Sequence, residues 1–205
     1  MKFLVTAFEP FGGSSINASL EAVRRLPPRI GALEVATAEL PTSYARSHSA
    51  LAAAIERNRP DLVLCVGQAA ERSALCVERV AVNVQDAEIA DNDGARPVDS
   101  PVVPGGPAAY LATLPVRAAV AALRAAELPA QLSMSAGTFV CNHVFYGLMH
   151  YVATHRLPSA GGFLHVPALQ QQRSAGSPSM ALEDIVRGIE IVLEAAAKQG
   201  RHPRD

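Results

Sequence analysis

Charge of one sign is what this sequence has least of. Its 18 Lys and Arg against 19 Asp and Glu leave a formal net charge of −1, and no basic run stands out. Nucleic acid and anionic membrane surfaces are therefore not expected partners. Long apolar runs are missing too, so no segment is expected to cross a bilayer. The apolar run from Lys2 to Thr6 is too short for the h-region of a signal peptide. Tryptophan is absent, and aromatic residues make up 5% of the chain. Cysteine is sparse: Cys65, Cys76 and Cys141 are the whole set, with neither metal nor redox spacing. An odd, scattered set excludes a disulfide framework and leads us to expect reduced thiols and a cytoplasmic location.

What is present is apolar mass. With 49% hydrophobic residues in 205 positions, the chain can bury a substantial core, and its length suits one domain. Expected strands lie at Phe3–Val5, Leu33–Ala38, Leu62–Val66, Leu75–Val84, Ala130–Ser135 and Gly162–Val166. Expected helices lie between them. One is capped by Asn17, one by Ser43 and running to about Asn58, and one opens at Thr113–Pro115. A fourth follows the Ala136–Thr138 turn, and a closing helix is capped by Ser179 and ends near Gly200. The segment 85–107, rich in Asp, Gly and Pro, is expected to be a long functional loop or flap. Strands alternating with helices give the expected fold class: α/β, a three-layer α/β/α sandwich with a mainly parallel, mixed central sheet.

The chemistry gathers where a short buried strand turns into a helix. Cys141 falls at or near that helix start, just beyond the carboxyl end of a strand. There, free N–H groups and the positive end of the dipole favour a thiolate. A cysteine nucleophile needs a base. His143 points to another helical face, His150 lies too far along, His48 sits in a helix, and His155 and His202 lie in exposed-looking ends. His165, near the end of its strand, is the best-placed partner. A base needs an orienting carboxylate, and Glu78 is the odd acid among Val80, Val82 and Val84. Its other readings are a solvent-exposed strand end or an ion pair with Arg72 or Arg79. A metal site on Cys141, His143 and His150 is disfavoured, because the spacing does not converge on one helical face.

Six blocks, in order along nearly the whole chain, carry a resemblance. They are Phe8-Glu-Pro-Phe-Gly-Gly13, Glu78-Arg-Val-Ala-Val-Asn83, Asp91-Asn-Asp-Gly94, Ala109-Tyr110 with Thr113-Leu-Pro115, Ser135-Ala-Gly-Thr-Phe-Val-Cys-Asn142, and Phe163-Leu-His-Val-Pro167. In these the sequence resembles pyroglutamyl peptidase I, a family of cysteine exopeptidases. The resemblance implies a Glu78, Cys141, His165 triad and a pyroglutamyl pocket of Phe8, Phe11, Gln68, Ile89, Phe139 and Val140. It also implies a cytoplasmic enzyme without metal or cofactor, often a homo-oligomer (tetramer or dimer), acting on small peptides with N-terminal pyroglutamate. The alternative is a non-catalytic or weakly active relative that binds such peptides. Departures from the family pattern include Ala70-Glu71, Gln170-Gln171 and, most of all, Glu88, where the family has a cation. A carboxylate at position 88 is expected to raise the thiol pKa.

Overall fold

The computed structural model describes residues 1–157, 159–172 and 177–199. Its first strand, β1 (Lys2–Phe8), is buried from Phe3 onward. Helix α1 (Ala18–Arg24) follows, capped as expected by Asn17, whose side chain accepts from the Ser19 N–H at 3.0 Å. Then come β2 (Arg29–Ile30), β3 (Leu33–Leu40), α2 (Ser47–Asn58) and β4 (Leu62–Gln68). The chain continues through β5 (Leu75–Glu78), β6 (Val80–Val82), β7 (Ala109–Leu111), α3 (Val116–Ala125) and β8 (Ala130–Ser133). It closes with α4 (Val140–Thr154), β9 (Ala160–Val166), a single 3₁₀ turn at Gln170–Gln172 and α5 (Leu182–Gln199).

Seven strands form one sheet in the order β2-β3-β1-β4-β9-β5-β8. β3, β1, β4 and β9 run parallel, while β5 runs antiparallel to β9 and β2 antiparallel to β3. Helices α1, α3 and α5 pack together on one side of the sheet, and α2 and α4 on the other. The expected three-layer mixed architecture is what forms. The central strands earn their place by composition: every residue from Leu62 to Gly67 is buried, as a parallel strand covered on both faces requires.

Three local expectations are corrected. The stretch 75–84 is two strands, because the chain changes partners at Arg79, whose N–H bonds Ser133 O and whose carbonyl accepts from Ala112 N. β5 stays in the main sheet, while β6 pairs with β7 in a two-stranded sheet of its own. Ser43 does not cap α2; its hydroxyl donates to Asp93 and accepts from Arg46 N, one turn before the helix begins. Ser179 does not cap α5 either, since the first helical bond runs from Ile185 N to Ala181 O. Gly200 and His202 lie outside the described residues.

The 85–107 segment is irregular but stapled. Gln85 bridges Ser100, and Asn83 bonds Val103 and Gly106 O. Asp91 accepts from Tyr44, Asp93 and Ala95 N–H groups, and Asn92 reaches Glu9 and Pro10 O. It lies against the loop leaving β1, beside the carboxyl ends of the parallel strands, where α/β sheets bind ligands.

Candidate active site

Parallel strands β1, β4 and β9 end side by side, which brings Phe8, Gln68 and His165 to one edge. A cavity of about 470 Å³ opens there. Phe8, Phe11, Gln68, Ile89, Phe139, Val140, Cys141 and His165 all line it. Of the residues expected from sequence, Glu78 alone lies behind the wall, and it is bonded to one that faces in.

Antiparallel β5 explains how Glu78 arrives. Cys76 stands opposite His165 and Glu78 opposite Phe163, so Glu78 is the diagonal neighbour of His165 on the same face. Its Oε1 lies 2.7 Å from His165 Nδ1, and both side chains are buried, with Glu78 at 0% exposure. With Nδ1–H donating to the carboxylate, Nε2 is the nitrogen left with a lone pair. The two readings of Glu78 prove compatible. The same Oε1 also accepts from Arg72 Nη1 at 2.7 Å, and Arg72 is further tied to Ser133 and to Ser135 O. The guanidinium compensates a carboxylate that would otherwise be an unpaired buried charge.

Cys141 is the second residue of α4. Phe139, the N-cap, has extended backbone and makes no side-chain cap bond, so the first-turn N–H groups keep no intrahelical acceptor. The preceding turn needs Gly137, at φ +76°. Thr138 fixes it, accepting from Asp86 N and donating from Oγ1 to Asp86 O at 2.7 Å. Asn142, wholly buried, docks the helix start onto β6: it accepts from Val82 N and donates to Val82 O and Val84 O.

The sulfur sits tightly against the sheet. Gly67 pairs with His165 in register, and a Cβ built on it would lie 2.8 Å from both Cys141 Sγ and Phe163 Cζ. Only glycine leaves that room. The expectation of a lowered thiol pKa is reversed. Burial, then the Glu78 carboxylate, push the Cys141 thiol up to about 12, with Cys65 and Glu71 adding to the rise and Arg72 opposing it.

Aromatic rings pack in and behind the cavity wall. Phe11 and Phe139 sit 5.9 Å apart, Tyr44 meets Phe139 edge-on at 5.9 Å, and Phe163 lies 4.8 Å from the His165 ring. The remaining described histidines lie elsewhere. His143 bonds Gln85 and stacks on His48, and His150 bonds Tyr110. His48, His150 and His155 line a separate cavity of about 300 Å³ between α2 and α4. Cys141, His143 and His150 therefore face three different sets of partners.

A thiol, a carboxylate-held imidazole and a ring-lined cavity are the parts of a cysteine hydrolase. The pyroglutamyl peptidase sequence profile matches residues 1–199. The chain belongs to the pyroglutamyl peptidase family. It is 51% identical over 197 residues to a pyrrolidone-carboxylate peptidase of Gloeobacter violaceus, covering 95% of this chain and 96% of that one. It is 45% identical over 203 residues to one of Alkaliphilus oremlandii, covering 98% and 95%. The crystal structure of Bacillus amyloliquefaciens pyroglutamyl peptidase I superposes with a TM-score of 0.93 at 41% identity, covering 96% of this chain and 97% of that one. A variant pyrrolidone carboxyl peptidase from Pyrococcus furiosus gives 0.94 at 37%, covering 97% and 99%. As a member of the pyroglutamyl peptidase family, this chain is a peptidase.

Against that family pattern, both acidic departures, Glu71 and Glu88, line the cavity. Glu71 is among the groups that raise the thiol, and Glu88 lines the same cavity as Cys141. Neither acid forms an ion pair among the described residues, and Arg96, nearby in sequence, donates to Ala87 O. Sequence reasoning missed Gly67 and Asn142, and it read Arg72 only as an alternative to catalysis. No local pattern signals any of the three.

Proposed function

We propose that the chain is a cysteine exopeptidase that removes N-terminal pyroglutamate from peptides, with Cys141, His165 and Glu78 as its catalytic group. The observation that carries this is the 2.7 Å Glu78–His165 bond behind a cavity that Cys141 and three phenylalanines share. A pyroglutamyl ring is small, uncharged and without a free amine, so an apolar, aromatic-walled cavity suits it.

Because the thiol is pushed up to about 12, the resting sulfur is protonated and the attack is base-assisted. His165 Nε2 takes the Sγ proton as the sulfur bonds to the carbonyl carbon that follows the lactam ring. First-turn N–H groups of α4 stabilise the oxyanion. The tetrahedral species collapses, the C–N bond breaks, and the imidazolium returns its proton to the departing amine. Water, activated by the now neutral His165, hydrolyses the thioester to pyroglutamate and free thiol. Glu78 holds the ring in one tautomer and stabilises the imidazolium, while Arg72 keeps the carboxylate in place.

Turnover of a chromogenic pyroglutamyl amide tests the proposal, with prolyl and glutaminyl amides as comparators. Neither comparator carries the lactam ring, and both bring a positive amine against the rings of Phe8, Phe11 and Phe139. Strong preference for the pyroglutamyl amide is expected, and a comparable kcat/KM on the prolyl amide would defeat the pocket assignment. One observation favours the second reading, a binding relative of low activity: the raised thiol. Binding without turnover in the same assay would select it. A cytoplasmic location and a homo-oligomeric state, tetramer or dimer, complete the proposal. No described helix is long and apolar enough to cross a membrane.

A further inference from the structure

Gln172 lies seven positions beyond His165, on the 3₁₀ turn after β9, and it does not line the cavity. All three of its side-chain hydrogen-bonding functions are nevertheless used. Its Oε1 accepts from Leu169 N at 2.9 Å, and its Nε2 donates to Ile16 O and to Gln68 Oε1, each at 3.1 Å. Gln68 Oε1 accepts a second bond, from Ala18 N at 2.6 Å.

These partners fix which way each amide faces. A backbone N–H can only donate, so the atom of Gln68 beside Ala18 is oxygen. By the same reasoning, the atom of Gln172 beside Leu169 is oxygen, and the one beside Ile16 O is nitrogen. Gln172 Nε2 has two hydrogens and two acceptors. Gln68 Oε1 has two lone pairs and two donors. Gln68 Nε2 is left over: it bonds no described group, it is not among the buried polar atoms lacking a partner, and its residue lines the cavity.

We infer that Gln172 is a positioning residue that locks the Gln68 amide with its oxygen turned away, so that the Gln68 NH₂ serves as a donor to the lactam carbonyl. The inference rests on the proposed pyroglutamyl pocket. Without Gln172, Gln68 Oε1 keeps the Ala18 bond but loses its second anchor, so the amide plane can swing about that one bond and its NH₂ is no longer held toward the lactam carbonyl.

The test does not depend on turnover. 2-Pyrrolidone, the bare lactam, should slow alkylation of Cys141 by iodoacetamide, followed by mass spectrometry, and pyrrolidine, which lacks the carbonyl, should not. Gln172→Glu keeps an oxygen for Leu169 N but loses both donors, so it separates holding the loop from holding Gln68. It should raise the half-protecting lactam concentration roughly 10-fold, the scale of one lost bond to a neutral group. The alkylation rate without lactam should stay unchanged. In a Gln68→Ala background the same substitution should have no further effect, as expected for two residues acting through one contact. Unchanged protection in Gln172→Glu would overturn the inference, and so would effects that multiply in the double variant. A wild-type protein that 2-pyrrolidone fails to protect would overturn it as well. Protection without cleavage of pyroglutamyl amides would instead count against the proposed activity alone.

Discussion

Acid should destabilise this protein through one buried ring, well away from the sulfur. His143 is 5% exposed. Its ring stacks on His48 with centroids 3.8 Å apart and planes 7° apart, and Tyr44 meets it edge-on at 5.2 Å. Nδ1 bonds Gln85, while Nε2 is buried without a hydrogen-bond partner. Burial first, and the neighbouring His48 second, hold its pKa down to about 3. The unfolded chain binds the proton at about 6.5. Between those values the unfolded state carries more protons, so stability is full above about pH 6.5 and is lost as pH falls toward 3. At about pH 5 the gap is about 1.5 pKa units, or ~2 kcal/mol. For a domain of this size that is about 4–8 °C in Tm. His48 shifts in the same direction, again chiefly by burial. Calorimetry of the wild type and His143→Phe at about pH 7.5 and pH 5 isolates the residue, because carboxylate contributions cancel between the two. The variant should lose several degrees less on acidification. Equal losses in both proteins would refute the reasoning.

Other outcomes follow from the same geometry. Gly67→Ala puts a Cβ against the sulfur and Phe163, so kcat/KM should fall about 100-fold, the scale of an ångström's misplacement, with a stability loss of about 1–3 kcal/mol. A kinetically normal Gly67→Ala would mean that the sulfur is not confined. Glu78→Gln should lower kcat by about 10²- to 10⁴-fold while changing KM less, since it alters the charge behind His165 and replaces no residue that lines the cavity. Glu71→Gln removes a group that raises the thiol, so the pH limb of Cys141 alkylation by iodoacetamide should move to lower pH. Glu88→Gln should leave that limb where it is, and the reverse pattern would restore Glu88 as the governing acid.

Much of the fold was legible because its signals are local. Alternating apolar runs, Asn17, and the prolines after α1 and α2 placed most elements within a few residues. Cys141 was legible as well, because strand, turn and helix lie consecutively around it. His143, set aside by helical spacing, faces Gln85 and His48 and does not line the cavity. What escaped depends on pairing across the sheet. Glu78 was named as the acid that orients His165, but not its route there, which is an antiparallel β5 beside β9, and the 75–84 stretch breaks because Arg79 finds partners in residues 112 and 133. The two missed caps fail for a related reason: the Ser43 hydroxyl is drawn to Asp93, and α5 starts after Ser179. The thiol pKa was misjudged because the helix terminus is visible in sequence, whereas the crowding of Sγ by Gly67 and Phe163 is tertiary. Gln172 and Asn142 each make more than one long-range hydrogen bond that no spacing rule reveals.

The covalent step is the heart of the account, and it can be caught directly. A pyroglutamyl amide mixed with the wild-type protein and quenched in acid within one turnover should leave a pyroglutamyl group on Cys141, located by peptide mass mapping and removed by hydroxylamine. Cys141→Ala should show neither adduct nor cleavage, while Cys65→Ala and Cys76→Ala should show both. Full turnover by Cys141→Ala, or an adduct on another residue, would contradict the account.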